Sequence, residues 1–343
     1  MRKGIKKVLY SLLVLTLGLS LSGCGTTPAK SGEQEKAVEK ISAKFTHVVA
    51  EQTPKGQAVI KFAQLVNERS QGRLEIKVYP SSQLFGDKDE MEALQANNVQ
   101  FIAPSAGKLV SFDKRFQIGD VPFLFNDNAA ESRFWDGETG KSLLKGLESK
   151  GILGLTSWPN GMRQFMNSKK ELKVPVDFEG LKFRIPSGGV LVDTCLALKA
   201  GSSVIPFGET YTALQQKVVD GTIATFDNIE NEKYAEVLKN LTVVNLNSLS
   251  YIVLMNKSFY EGLPADLQQL VSQAIKEASD YERELSEKQD KAGLEKLKKT
   301  INVYETTPQD RELYMQAVKP IWDKFEPIMG KDMFEAAKKA NKV

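Results

Sequence analysis

Two arginines stand where an organic anion could be held. Leu181, Phe183 and Ile185 alternate with Lys182 and Arg184, the period-two pattern of a strand with one buried face. Turn formers fill residues 174–180 before it, and Pro186 ends it, since proline cannot continue a central ladder. Arg184 therefore sits at the carboxyl end of a strand, where open α/β sheets bind their ligands. Its planar guanidinium offers a fork of donors that fits a carboxylate. Ile152 to Trp158 form another strand candidate. The Pro159-Asn160-Gly161-Met162-Arg163 segment after it reads as a turn delivering a second arginine. A lone arginine at a strand end is more often a surface charge, so the rest of the chain has to decide.

Other chemistries are poorly supplied. The 343 residues hold one histidine, His47, and two cysteines. That excludes most zinc sites and most Ser-His or Cys-His catalysis. Cys195 lies in the apolar, helix-like run 190–198 and is expected to be a buried structural thiol. His47, at a strand end, is expected to be a hydrogen-bonded structural histidine, and Glu92 to face solvent on a helix. Nothing in the pattern calls for a metal or a cofactor, and no enzymatic activity is expected.

The first 23 residues have the form of a leader. Arg2, Lys3, Lys6 and Lys7 precede an apolar run, Val8 to Leu21, too short for a membrane span. Leu21-Ser22-Gly23-Cys24 resembles the bacterial lipobox, which implies a signal peptide over 1–23 and lipidation at Cys24. Losing residues 1–23 removes four positive charges and no acidic ones, so the formal charge falls from +3 to −1. No nucleic-acid partner is expected of such a surface. Residues 24–40 are nearly free of apolar side chains and read as a flexible tether.

The remaining chain alternates strands with helices, which predicts an α/β fold with largely parallel sheets. A strand over 42–50 leads to Thr53-Pro54, an N-cap and a first-turn proline, and then to Val59, Phe62, Ala63 and Val66 at helical spacing. Further strands are expected at 74–78, 99–103, 222–226, 241–246, 251–255 and 301–304. Tyr211, Leu214 and Val218 form one helix face, and Val121 to Phe125 reads as core. From Pro264 apolar residues at helical spacing run to Tyr281, and a mostly polar stretch with Leu285, Leu294 and Leu297 continues to about Thr300 with no further proline and a single glycine, Gly293. Such a helix reaches roughly 50 Å, long enough to brace two lobes.

These segments, taken in order, resemble the substrate-binding proteins of tripartite ATP-independent periplasmic (TRAP) transporters, and most closely their four-carbon dicarboxylate branch. The likeness rests on 45–50 with Thr53-Pro54-Lys55-Gly56, Val78-Tyr79-Pro80-Ser81-Ser82-Gln83-Leu84, Ala103-Pro104-Ser105, residues 180–186, Pro206-Phe207-Gly208-Glu209 and Val219-Asp220-Gly221-Thr222. It implies a type II periplasmic-binding-protein fold, with two lobes, a hinge and a long lobe-spanning helix. By analogy lobe one takes 41–161 and 250–289, and lobe two 162–249 and 290–343. The implied ligand is a small organic acid, delivered to membrane permease subunits by a monomeric, membrane-anchored extracytoplasmic receptor. Presentation of ligand to a sensor kinase, or binding of a keto, sugar or aromatic acid, remains the alternative.

The resemblance also assigns residues. Arg184 would form the salt bridge to the ligand carboxylate, Arg163 would be the second basic group, and Phe207 would pack on the ligand. Lys55 after Thr-Pro, and Ser105 with Lys108 after Ala-Pro, would complete the site from lobe one. The chain departs from the family where Glu-Asn usually follows Asp-Gly-x, for here Ile223 and Ala224 stand. Thr225 or Asn228 is the nearby candidate for the missing polar contact. Asn247 stands where a histidine is often found.

Overall fold

The computed structural model describes residues 40–342. The leader, Cys24 and all but the last residue of the tether lie outside the described residues. Within them, strands β1 (Ile41–Thr46), β2 (Leu74–Tyr79), β3 (Phe101–Ile102), β4 (Ile152–Asn167), β5 (Lys182–Ile185), β6 (Gly201–Val204), β7 (Gly221–Ala224), β8 (Asn240–Asn256) and β9 (Asn302–Glu305) form one sheet. Its order is β2-β1-β3-β8-β4-β7-β5-β6, with β9 also beside β8.

The centre is an antiparallel ribbon. β4 has 16 residues and β8 has 17, paired from Ile152 opposite Asn256 to Asn167 opposite Asn240. At one end β3 pairs with β8, Phe101 opposite Met255, and brings β1 and β2 in parallel. At the other end β7 pairs with β4 over Gln164 to Asn167 and brings β5 and β6 in parallel. Two parallel half-sheets thus hang from opposite ends of one ribbon, which is a two-lobed α/β arrangement. The expectation of largely parallel sheets is corrected at the centre.

Two local expectations change for the same reason. Pro159 to Arg163 is not a turn; β4 runs straight through it, with register shifts between Pro159 and Gly161 and between Arg163 and Phe165. The first bulge takes up Asn160 as the extra residue, between the Pro159–Ser250 and Gly161–Leu249 pairs. Gly161, at φ +132°, supplies the backbone bend. Likewise the strands expected at 241–246 and 251–255 are one strand, continuous through Asn247-Ser248-Leu249-Ser250. β6 was not anticipated, because Gly-Ser-Ser-Val lacks apolar alternation; it is an edge strand with no buried residue. Val218, expected on a buried helix face, is exposed, and its helix ends at Gln215.

Other expectations hold. Thr53 caps the Pro54–Arg69 helix, its side chain accepting from the Gly56 N–H. Val121, Phe123, Leu124 and Phe125 are buried, Glu92 is exposed, and Cys195 is buried with its thiol pushed up to about 12 by desolvation. The long helix spans Ala265–Leu297 and lies along β4. Trp158 Nε1 donates to Ser279 Oγ at 2.8 Å, and Ser286 Oγ donates to the Pro159 carbonyl at 2.9 Å. No helix among the described residues is long and apolar enough to cross a membrane.

Gly293 has a packing role. A Cβ there would fall 2.8 Å from Phe226 Cβ, so glycine lets the long helix approach the Phe226–Asn231 helix. Gly293→Leu is expected to lower unfolding free energy by about 1–3 kcal/mol through overpacking. A urea denaturation series measures it.

Candidate functional site

A cavity opens beside the bulged middle of the ribbon, where both half-sheets end. Arg163, Arg184, Ser105, Lys108, Phe207 and Asn228 all line it, together with Asp87, Tyr251, Ile223 and Ala224. Residues from distant parts of the chain meet there: Arg163 comes from β4, Tyr251 from β8, Arg184 from β5, Ile223 and Ala224 from β7, and Asp87 and Ser105 from the segments after β2 and β3. Lys55 is the exception among the expected site residues. It does not line the cavity, but its Nζ lies 3.4 Å from the ring centroid of Tyr251, which does.

Arg184 lies one residue from the carboxyl end of β5, as its strand pattern implies, and is 4% exposed. Its Nε donates to the Ile205 carbonyl at 2.9 Å, which orients the guanidinium. Its Cζ lies 6.0 Å from the Phe207 ring centroid, at the outer limit of a cation–π contact. Nη2 is buried without a partner. A buried donor on a charged group is costly to leave unmade, so this atom marks where an anion would gain most. Burial pulls this guanidinium below its ordinary range, with Asp87 among the groups opposing it.

Arg163 is held differently. It sits in the β4 bulge and is almost fully buried. Its Nη1 donates to Asp120 Oδ1 at 2.8 Å, Asn247 Oδ1 at 3.1 Å and the Ser248 carbonyl at 3.0 Å. Asn247 Nδ2 in turn donates to the Asp120 carbonyl at 2.7 Å. Asn247, where the family often has histidine, therefore locks Arg163 in place. Desolvation raises the Asp120 carboxyl, while Arg163 and Ser187 pull it back.

Lys108 forms an ion pair with Asp87, and both are mostly buried. Asp87 Oδ2 also accepts from the Phe207 N–H at 2.6 Å, which ties the two sides of the cleft together. Burial pushes the Asp87 carboxyl up, but Lys108, the Phe207 N–H and Arg184 outweigh it and hold it below the usual range. Lys55 donates to the Ala103 carbonyl at 3.0 Å. Ser105 Oγ and Asn228 Oδ1 are buried without protein partners. Together with Arg184 Nη2 they are unmet polar atoms on residues lining the cavity.

Ile223 and Ala224 form an apolar stretch of the wall where the family usually has Glu-Asn. Of the two candidate substitutes, Asn228 reaches the cavity. Thr225 is occupied, capping its helix through the Asn228 N–H and accepting from Asn160 Nδ2 at 3.0 Å. His47 corrects the expectation of a hydrogen-bonded residue. It is fully buried, neither ring nitrogen meets a partner in good hydrogen-bond geometry, and burial, then Lys55, depress it to about 3, with only the Val49 backbone opposing them. Asp87, Asp120, Glu90 and Tyr251 were not anticipated. Asp87 follows a turn glycine and Glu90 opens a helix, positions that resemble ordinary solvated acids. Among the described residues no cluster of His, Cys, Asp and Glu could hold a metal ion.

Residues 45–327 match the family model described as DctP, bacterial extracellular solute-binding protein, family 7. The chain is 40% identical over 301 residues to the C4-dicarboxylate-binding periplasmic protein DctP of Shewanella loihica, covering 87% of this chain and 89% of that one. Its fold superposes with a TM-score of 0.86 on a TRAP periplasmic solute binding protein from Shewanella oneidensis, solved with bound succinate. That pair shares 40% identity and covers 88% of this chain and all of the other. A second such protein, from Pseudomonas aeruginosa with bound L-malate, gives a TM-score of 0.80 at 34% identity, with 83% and 99% covered.

Proposed function

The chain belongs to the DctP family of bacterial extracellular solute-binding proteins, and from that membership we propose that it captures a four-carbon dicarboxylate and hands it to a TRAP permease in the membrane. The observation that carries the reading is the buried, unpartnered Nη2 of Arg184 beside Phe207, in a cavity both half-sheets line. One ligand carboxylate takes that nitrogen, with Ser105 Oγ and Asn228 within the same cavity. The other faces Arg163, whose three bonds all fall on Nη1. Each charge-assisted hydrogen bond contributes on the order of 1.5–3 kcal/mol, and a few suffice for micromolar binding.

Ile223, Ala224 and Leu249 offer no side-chain donor to sugar hydroxyls. Calorimetry across succinate, fumarate, malate and galactonate tests this. Succinate or malate is expected to bind at least about tenfold tighter than the polyhydroxy acid, since a wall without partners leaves hydroxyls unpaired. Absence of heat with every carboxylate would remove the receptor reading.

The division into lobes at 41–161 with 250–289 and 162–249 with 290–343 belongs to the same proposal, as does anchoring through a lipidated Cys24 after removal of residues 1–23. Metabolic labelling with a fatty-acid analogue, in the native chain and in Cys24→Ala, tests the anchor. Closure about β4 and β8 would then be driven by ligand contacts made to both lobes at once. On this reading the site acts by binding its ligand.

A further inference from the structure

Resting on the dicarboxylate reading, we infer that the ligand carries a hydroxyl on a carbon between its carboxylates and that Asn228 reads it. The preferred class is then a 2-hydroxy dicarboxylate of the malate type rather than unsubstituted succinate. Among the described residues, three that line the cavity hold a buried polar atom without a partner: Arg184 Nη2, Ser105 Oγ and Asn228 Oδ1. They do not call for the same group. The arginine nitrogen only donates, and a serine hydroxyl turns to donate or accept, so a carboxylate satisfies both. An amide oxygen only accepts, and an ionised carboxylate has no hydrogen to give it. Two of the unmet atoms thus fit the acid groups of the ligand, and the third needs a donor that succinate lacks.

The fold places Asn228 beside the middle of such a ligand. β7 lies between β4 and β5 in the sheet, so its last residue, Ala224, sits between the strands that carry Arg163 and Arg184. A dianion spanning the two guanidiniums crosses that strand end, and Asn228 follows within the next helical turn, 6% exposed. Its N–H is tied to Thr225 Oγ1 at 3.3 Å. Burial pushes the Tyr251 hydroxyl well above its ordinary range, and a hydrogen bond from the Asn228 side chain opposes this. Only a bond donated by the amide nitrogen acts in that direction, which leaves Oδ1 as the unmet end. The surrounding wall has little else for a hydroxyl. Ile223 and Ala224 are apolar, and the Asp87 oxygens already hold Lys108 and the Phe207 N–H. An ammonium in the hydroxyl's place would add a fourth positive charge to lining residues Lys108, Arg163 and Arg184, against Asp87 alone, so the neutral donor fits better. One acceptor serves one hydroxyl, and the further hydroxyls of a sugar acid stay unpaired.

Calorimetry with L-malate, D-malate, succinate and L-aspartate, on the parent chain and on Asn228→Leu, tests this. In the parent, one malate enantiomer is expected to bind about tenfold tighter than succinate, with which the amide oxygen stays unmet or must hold a water. That enantiomer should exceed the other by a similar factor, because pinned carboxylates present the hydroxyl to one side. Asn228→Leu keeps the volume and removes the acceptor, so both ratios should fall to within about twofold of one. A site that is merely loosened weakens every ligand and does not close the gap between enantiomers. Succinate binding as tightly as either malate in the parent overturns the inference and leaves the receptor reading standing. Ratios that survive in Asn228→Leu overturn the assignment to Asn228. L-aspartate binding as tightly as the better malate overturns the hydroxyl in favour of an ammonium. If Asn228→Leu does not fold, Asn228→Ala carries the same comparison. No binding of any carboxylate removes the receptor reading and the inference with it.

Discussion

Arg184→Ala is expected to abolish measurable succinate binding without weakening the fold. The affinity loss follows from removing a desolvated charge partner, which costs about 2–5 kcal/mol, or roughly thirty-fold to several thousand-fold. The stability sign is less obvious. In the ligand-free protein Arg184 is a buried cation with one unmet nitrogen and a single bond, to the Ile205 carbonyl. Removing an uncompensated buried charge relieves a penalty. The variant's Tm should therefore equal or exceed that of the parent, while the succinate-induced rise in Tm disappears. A variant that still binds succinate within about threefold of the parent would sink the assignment.

Asp120→Ala is expected to be the most destabilising single change at the site. It strips the counter-charge from Arg163, which is almost fully buried in the β4 bulge. Breaking such a pair from one side costs about 3–5 kcal/mol, a large share of typical domain stability. Replacing both partners, Asp120→Ala with Arg163→Met, should recover much of that loss, since no orphaned charge remains. Urea unfolding of the parent, both single variants and the double variant forms the cycle that measures the coupling. A double variant no more stable than Asp120→Ala would mean that the pair is not the source of the loss.

Part of this site was legible in the chain itself. Arg184 was placed by local chemistry alone: three alternating apolar residues, a charged partner face and a proline stop. The long helix was legible for a related reason: apolar steps of three and four run from Leu267 to Tyr281, and no proline interrupts the mostly polar stretch after it, so the helix extends over 33 residues. Cys195 and the Thr53 cap also follow from near neighbours in sequence. The resemblance to TRAP receptors brought in Arg163, Phe207, Lys55, Ser105, Lys108 and Asn228, and all but Lys55 line the cavity.

What failed was the reading of segments whose local and tertiary preferences disagree. Pro159-Asn160-Gly161 has the composition of a turn, yet β8 on one side and the long helix on the other hold it in a bulged strand. Asn247 and Ser248 look like a loop between two strands, but the ladder with β4 carries them through. Both errors split the central ribbon, and so both hid its antiparallel pairing.

By itself the sequence determined the strand-end arginine, the bracing helix, the scarcity of catalytic groups and the order of α/β elements. Each depends on side-chain period or on residues within a few positions of one another. Only the tertiary structure decided which charges are free. Arg163 meets Asp120 across 43 positions in the chain and Asn247 across 84, and Asp87 meets the Phe207 N–H across 120. Glu90 lost its water through burial. Pairing and desolvation are properties of the folded surroundings, and they leave Arg184 as the cavity cation with an unmet nitrogen.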